Sequence, residues 1–304
     1  MQDNIQELIF GDIQFDVRQE ICSQHILITH FSKENISALK NNNGKTHFYM
    51  SQELYSLVQK LIKFGFLNKF ELHSKIIPGE YPQTIVDTKV TIYKNDDSLF
   101  GSMAVIAYSN KIDKSIFYCH SYTENGAHKK RIKNWKKIIR NSDLDNIYFD
   151  KSMNSNEKLS VPNENSIQKA FTEFLLEANS SDAKVLFSPL NPTRLFRYNE
   201  IARQNGIDIL WQEDFANLLL FFYPKIDLTL AYTNPQKTQV IKQVETKKKI
   251  VPTLVYTDYY IDPLLQNIST IEIPFNFKSL ITPINNHQII QLKKDLEIQT
   301  ITFI

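Results

Sequence analysis

Short apolar runs of strand length alternate with stretches of helical periodicity along most of the chain, and this alternation dictates an α/β fold. Residues 7–15 (ELIFGDIQF) read as a hairpin turning at Gly11 and Asp12. Residues 25–29 (HILIT) form a short apolar strand of the kind buried on both faces. Over 51–65, Leu54, Val58, Leu61 and Ile62 recur at helical spacing, with Ser51 as N-cap and Gly65 as C-cap. Strands are expected at 85–93, 102–108 and 115–119, then a basic amphipathic helix at 128–140 and a strand at 146–150. The polar, turn-rich stretch 151–165 reads as a linker. Beyond it, helix, strand, helix, strand and helix follow at 164–179, 184–187, 191–205, 207–210 and 213–222, the order of a parallel, Rossmann-like sheet. Further strands are expected near 226–231, 252–256, 269–273 and 298–303, with a helix near 286–296.

Composition narrows the function classes. A chain of 304 residues, 42% hydrophobic, can bury one large core or two modest ones. It has 7 glycines, where ordinary usage gives about 21, which counts against Gly-rich phosphate loops. The net charge of +2 demands no anionic partner, so nucleic-acid binding would need a local patch. Two cysteines, Cys22 and Cys119, cannot build a disulfide scaffold or a Cys-rich zinc site. The first residues lack the basic and apolar regions of a signal peptide, and the longest apolar run, 215–223, is too short to span a bilayer. A cytoplasmic protein without membrane contact is expected.

The segment ILITHFSKENISAL (26–39) places His30 just after a buried strand, at the mouth of a helix. It resembles, in frame, the His-x-His-x-Asp-His motif of the metallo-β-lactamase fold, with Ser32, Glu34 and Asn35 at the later positions. NDDSLFGS (95–102) is similar to the family's Asp-His-Ser-x-x-Gly segment, Asp97 standing at the ligand His. In SIFYCHSYTENGAHKKR (115–131), His120 takes the place of the Asp that bridges two metals, and Cys119 that of the Gly before it. NIYFDKSM (146–153) resembles the strand that ends in an acid, here Asp150, before the β-CASP insertion. KVLFSPLNPTRLFRYNEIARQNGIDILW (184–211) resembles the β-CASP segment of ribonuclease J-like nucleases, with Ser188, Asn191 and Arg194 at its polar positions. NNHQIIQLKKDLEIQTITFI (285–304) resembles the closing loop, helix and strand, with His287 at the last ligand. The resemblance implies an αββα sandwich with an inserted β-CASP-like, Rossmann-type unit. The expected boundaries are 1–155 for the first part of the metallo-β-lactamase-like domain, 156–275 for the insertion and 276–304 for the return segment.

The departures bear on function. Zinc takes N, S or anionic O donors, whereas Ser32 and Asn35 are poor ligands and a neutral imidazole at His120 replaces an anionic bridge. The expectation is therefore a non-catalytic member of the group without a cofactor, acting as a binding or partner subunit for RNA or for an active paralogue. A homo-oligomer fits this reading as well. The alternative is a hydrolase or nuclease using one zinc or manganese ion held by His30, Glu34, Asp97, His120 and His287. A third reading is an interaction protein using its many Phe and Tyr side chains. Ser188, Asn191 and Arg194 would suit a phosphate at the helix start, and equally ordinary capping by Asn191 ahead of Pro192. The basic stretch 128–140 reads foremost as a solvated helix face over Ile132, Trp135, Ile138 and Ile139. His25, His47 and His73 read as structural or surface residues.

Overall fold

The computed structural model describes residues 7–97, 99–123, 126–150, 164–177, 183–230, 249–254, 286–296 and 301–304. The chain divides into two compact units, the first comprising Met1–Gln59, Phe70–Pro162 and Leu280–Ile304, the second Lys60–Lys69 and Asn163–Ser279.

In the first unit, β1 (Leu8–Phe10) and β2 (Ile13–Phe15) form the expected hairpin, with Gly11 at φ 60° in its turn. The sheet continues in order through β3 (His25–Leu27), β4 (His47–Ser51) and β5 (Lys75–Ile77), each parallel to its predecessor from β2 onwards. Parallel pairing needs crossovers. Helix α1 (Lys33–Lys40) lies between β3 and β4, and α2 (Gln52–Lys63) follows β4. A second sheet has the order β15-β10-β9-β8-β7-β6. Its antiparallel part is β6 (Gln83–Ile85), β7 (Thr88–Lys94), β8 (Met103–Ser109) and β9 (Lys114–Cys119). Strands β10 (Asn146–Phe149) and β15 (Thr302–Phe303) add to β9 in parallel.

The two sheets share one apolar core, with Phe10, Ile13, Phe15, Leu27 and Tyr49 meeting Val90, Ile92, Val105, Ile116 and Tyr118. Period-two alternation sends neighbours to opposite faces. Ile26, Phe48 and Met50 are nevertheless buried too, so the outer face of the first sheet is also covered. Helix α1 and the first two turns of α2 supply buried apolar residues of their own, among them Ile36, Leu39, Leu54 and Val58. On the outside of the second sheet, α3 (Lys129–Arg140) and α7 (Asn286–Leu296) pack Ile132, Trp135, Ile139, Leu292 and Leu296 against Phe117, Ile147 and Phe149. The layering is helix, sheet, sheet, helix, as the resemblance implies. Strands β4 and β5 were not anticipated from sequence.

The second unit holds α4 (Glu164–Glu177), β11 (Ala183–Phe187), α5 (Pro192–Gln204), β12 (Asp208–Trp211), α6 (Glu213–Phe222), β13 (Thr229–Leu230) and β14 (Lys249–Leu254). Its four strands are all parallel, in the order β11-β14-β12-β13. An aromatic cluster of Phe171, Phe187, Tyr198, Trp211 and Phe215 fills its interior. The linker reading over 151–163 and the strand expected near 269–273 lie outside the described residues. Among the described residues no helix is long and apolar enough to cross a membrane.

Candidate functional site

The backbone first brings the C-terminal ends of β2 and β3 side by side. Their register pairs Phe15 with Leu27, so Asp16 and Arg18 come out beside Thr29 and His30. Asp16 is buried, with φ 56°. Its Oδ1 accepts from the Thr29 amide at 2.7 Å and from Asn35 Nδ2 at 2.9 Å. Its Oδ2 accepts from Thr29 Oγ1 at 2.5 Å and Tyr118 OH at 2.8 Å, and lies 3.3 Å from His30 Nδ1. Burial alone would raise the Asp16 carboxyl, but the charge and hydrogen bond of His30, the Thr29 hydroxyl and the charge of His120 hold it far below the usual carboxylate range. Burial pulls the His30 imidazole down, and the charge and hydrogen bond of Asp16, with the charges of Asp97 and Asp150, raise it above its ordinary value. Geometry and both shifts favour the charged form of each partner in this pair.

The second sheet supplies the facing groups. The His120 ring follows β9 and stacks on His30, with centroids 3.5 Å apart and planes at 12°. His120 Nδ1 lies 3.5 Å from Asp150 Oδ2 and has no hydrogen-bond partner among the described residues. Arg18 Nε binds Asp150 Oδ2 at 3.2 Å, and its Nη2 donates to Tyr118 OH at the same distance. Asp97, 1% exposed, accepts from the Leu99 amide at 3.0 Å, Ser102 Oγ at 2.6 Å and Ser121 Oγ at 3.3 Å. Burial raises its carboxyl pKa and outweighs those hydrogen bonds and the charges of His30 and His120.

Of the residues singled out from sequence, His30, Asp97 and His120 share this neighbourhood, and Asp150 joins them. Glu34 is exposed in the first turn of α1. His287 falls in the first turn of α7, and its side chain is outside the described set. Asn191 is the N-cap of α5, accepting from the Arg194 amide at 3.0 Å, with Pro192 at the first helical position. The hydroxyl of Ser188 accepts from the Leu190 amide at 3.3 Å. The Arg194 guanidinium is buried in a two-pronged pair with Glu164, both bonds at 3.0 Å. Asp16, Arg18 and Tyr118 escaped sequence reasoning; the available signal was an Asp and an Arg two residues apart at the end of an apolar hairpin strand.

The residues present do not fit the two-metal set of the resembling family. Ser32 Oγ caps α1, accepting from the Asn35 amide at 3.1 Å. The Asn35 amide side chain is occupied with Asp16, the His30 carbonyl and the Val17 amide. Among the described residues no group of three or more His, Cys, Asp or Glu could hold a metal ion. The groups facing Asp16 and Asp150 belong to the protein itself, the His30 imidazole and the Arg18 guanidinium.

No family model matches the chain, and no curated relative matches it. Its fold is similar to that of a protein of unknown function from Enterococcus faecalis V583, at TM-score 0.58 and 14% identity, covering 80% of this chain and 61% of that one. Two more distant structures are zinc-bound PqqB from Methylobacterium extorquens, at TM-score 0.31 and 12% identity, and unliganded yeast PDE1, at 0.37 and 16%. They cover 45% and 60% of this chain, and 55% and 63% of their own. In all three cases the match spans less than two thirds of the other protein.

Proposed function

We propose that this chain is a metallo-β-lactamase-like protein whose hydrolytic centre has given way to an internal charge network, and that it works as a non-catalytic binding or partner subunit. The observation that carries this reading is the ion pair of Asp16 with His30, closed by Thr29, Asn35 and Tyr118. A catalytic metal site needs ligands free to bind and one open position. Here Asn35 and Ser32 are spent on local hydrogen bonds. The second unit is read as a β-CASP-like insertion, with boundaries near 156 and 275. RNA or an active paralogue is the partner proposed.

The deciding measurement is the metal content of the purified protein after exposure to millimolar zinc or manganese, alongside hydrolysis of a phosphodiester. The expected result is no stoichiometric ion and no turnover. One equivalent of metal that disappears in His30→Ala or His120→Ala overturns the reading. RNA binding is tested by the slope of log K against log salt: a slope near zero means no phosphate contacts and removes RNA as the partner.

One observation favours a second reading, a single-metal hydrolase. His120 Nδ1 is buried with no hydrogen-bond partner among the described residues, 3.5 Å from Asp150. Buried polar atoms are nearly always satisfied, and a ligand there would satisfy this one. The same metal titration separates the two readings.

A further inference from the structure

Helix α3 gathers positive charge on one side. Its sequence, KKRIKNWKKIIR, holds seven cations and no acid in 12 residues, whereas the whole chain is only +2, so the remainder is net acidic. Ile132, Trp135 and Ile139 are buried in one cluster with Phe117, Ile147 and Phe149. At 3.6 residues per turn, Lys130, Lys133 and Lys137 fall within about 60° of one another on the opposite side. All three are exposed, as is Lys129 in the first turn. Neutralisation is confined to the flanks. Towards α7, Lys136 pairs with Asp295 at 3.2 Å and Arg140 Nε donates to the Asp295 carbonyl. On the other flank the Asn134 amide donates to Glu80 at 3.5 Å, and Arg131 Nη1 donates to the Asn95 carbonyl at 3.2 Å. Among the described residues Lys129, Lys130, Lys133 and Lys137 have no ion pair.

This arrangement works against the helix that carries it. Lys129 with Lys133, and Lys133 with Lys137, are like charges four residues apart, a spacing that destabilises a helix. Lys129 and Lys130 also stand in a first turn without any acid, where the macrodipole disfavours cations. Burial of Ile132, Trp135 and Ile139 holds the helix in place without any of these lysines, so packing does not account for them. A polyanion laid along the face does, because it turns repulsion into counterion release. Three features select its kind. The apolar side of α3 is already buried, which leaves nothing to insert into a bilayer. The exposed side chains between the flanks are lysine and asparagine, with none of the aromatic and Met anchors of protein interfaces, where lysine is depleted. Lysine meets phosphate as a point charge, and contacts to phosphate carry no sequence information.

We infer that the outward face of α3 is a docking surface for the phosphate backbone of RNA, held by Lys129, Lys130, Lys133 and Lys137 without sequence preference. The stripe begins beside the charge network: the His128 amide donates to Asp96 Oδ2 at 2.5 Å, one residue from Asp97. The inference rests on the RNA partner proposed above, and not on whether the Asp16 centre takes a metal.

The test is fluorescence anisotropy of the full chain with a labelled oligouridylate across a range of salt concentrations. Four phosphate contacts predict a slope of log K against log salt of about −3 for a single strand. Lys130→Gln, Lys133→Gln and Lys137→Gln combined should bring the slope to about −1 and weaken binding at low salt by about tenfold or more. Lys40→Gln with Lys45→Gln, which alters exposed lysines elsewhere in the first unit, should change neither. Lys133→Glu replaces two repulsive spacings by attractive ones, so it should raise the unfolding midpoint while weakening RNA binding. A rise in midpoint with RNA affinity unchanged means a merely solvated face and overturns the inference. Unchanged affinity and slope in the triple variant overturn it too, and leave RNA bound elsewhere on the chain. No RNA binding by the wild type removes the inference and the RNA partner together. Tighter binding to phosphatidylserine vesicles or to poly-glutamate at equal charge overturns it in favour of a membrane or an acidic protein.

Discussion

Asp16 holds a left-handed backbone conformation that a residue with a side chain adopts at some cost, and its buried carboxylate repays that cost with hydrogen bonds from two strands and a helix. Asp16→Asn keeps the shape and removes the charge opposite His30. We expect a loss of about 3 kcal/mol in urea unfolding, the scale for breaking a buried pair. The pH profile should change with it. The Asp16 contribution is complete above the unfolded carboxyl value of about 4 and is lost as pH falls toward its depressed folded value. The His30 contribution is complete below about 6.5 and is lost as pH rises through its raised folded value. Wild-type stability from this pair is therefore greatest between about pH 4 and 6.5, and the variant should lose the falls in unfolding midpoint that flank this window below about pH 4 and above about pH 6.5. Gly101 is a simpler case, at φ 83° with an added Cβ 2.7 Å from Leu54 Cα. Gly101→Ala should cost about 1–3 kcal/mol in the same assay. His30 was legible from its place after an apolar strand. Asp16 was not, because its partner is chosen by strand register across 14 positions and neither residue marks the other locally.

Helix α3 shows why some elements could be read from the chain and others could not. Its apolar residues recur every three or four positions, and Ile132, Trp135 and Ile139 are buried as that spacing requires. Trp135→Ala should lower stability by about 3–5 kcal/mol, measured by chemical denaturation. Strand β4, HFYMS, was missed because it runs without a turn into α2, so no punctuation separates two periods. Strand β5 has only three residues, too few to show any period. Helix α5 was legible through Asn191 and Pro192, while the reason for Arg194 lay 30 residues upstream in Glu164. Arg194→Ala strands the Glu164 carboxylate in the interior. We expect a loss of about 3–5 kcal/mol, with faster amide hydrogen exchange over 164–177 and 192–204.

At the scale of the whole molecule, each unit contains one of the chain's two tryptophans, Trp135 in the first and Trp211 in the second. Trp211→Phe and Trp135→Phe therefore isolate the fluorescence of either unit, and denaturation followed in each should give separate midpoints. Arg194→Ala is expected to move only the transition reported by Trp211. Coincident shifts in both would show that the units unfold as one. The second sheet of the first unit is closed by β15, which pairs with β10 across about 150 residues of chain, while α7 adds Leu292 and Leu296 beneath α3. During synthesis these pieces leave the ribosome long after the strands they complete. At the ordinary pace of about 5–20 residues per second, β10 waits many seconds with an open edge and α3 with an uncovered apolar flank. The nascent chain thus exposes this edge and flank for an interval set by the length of the second unit.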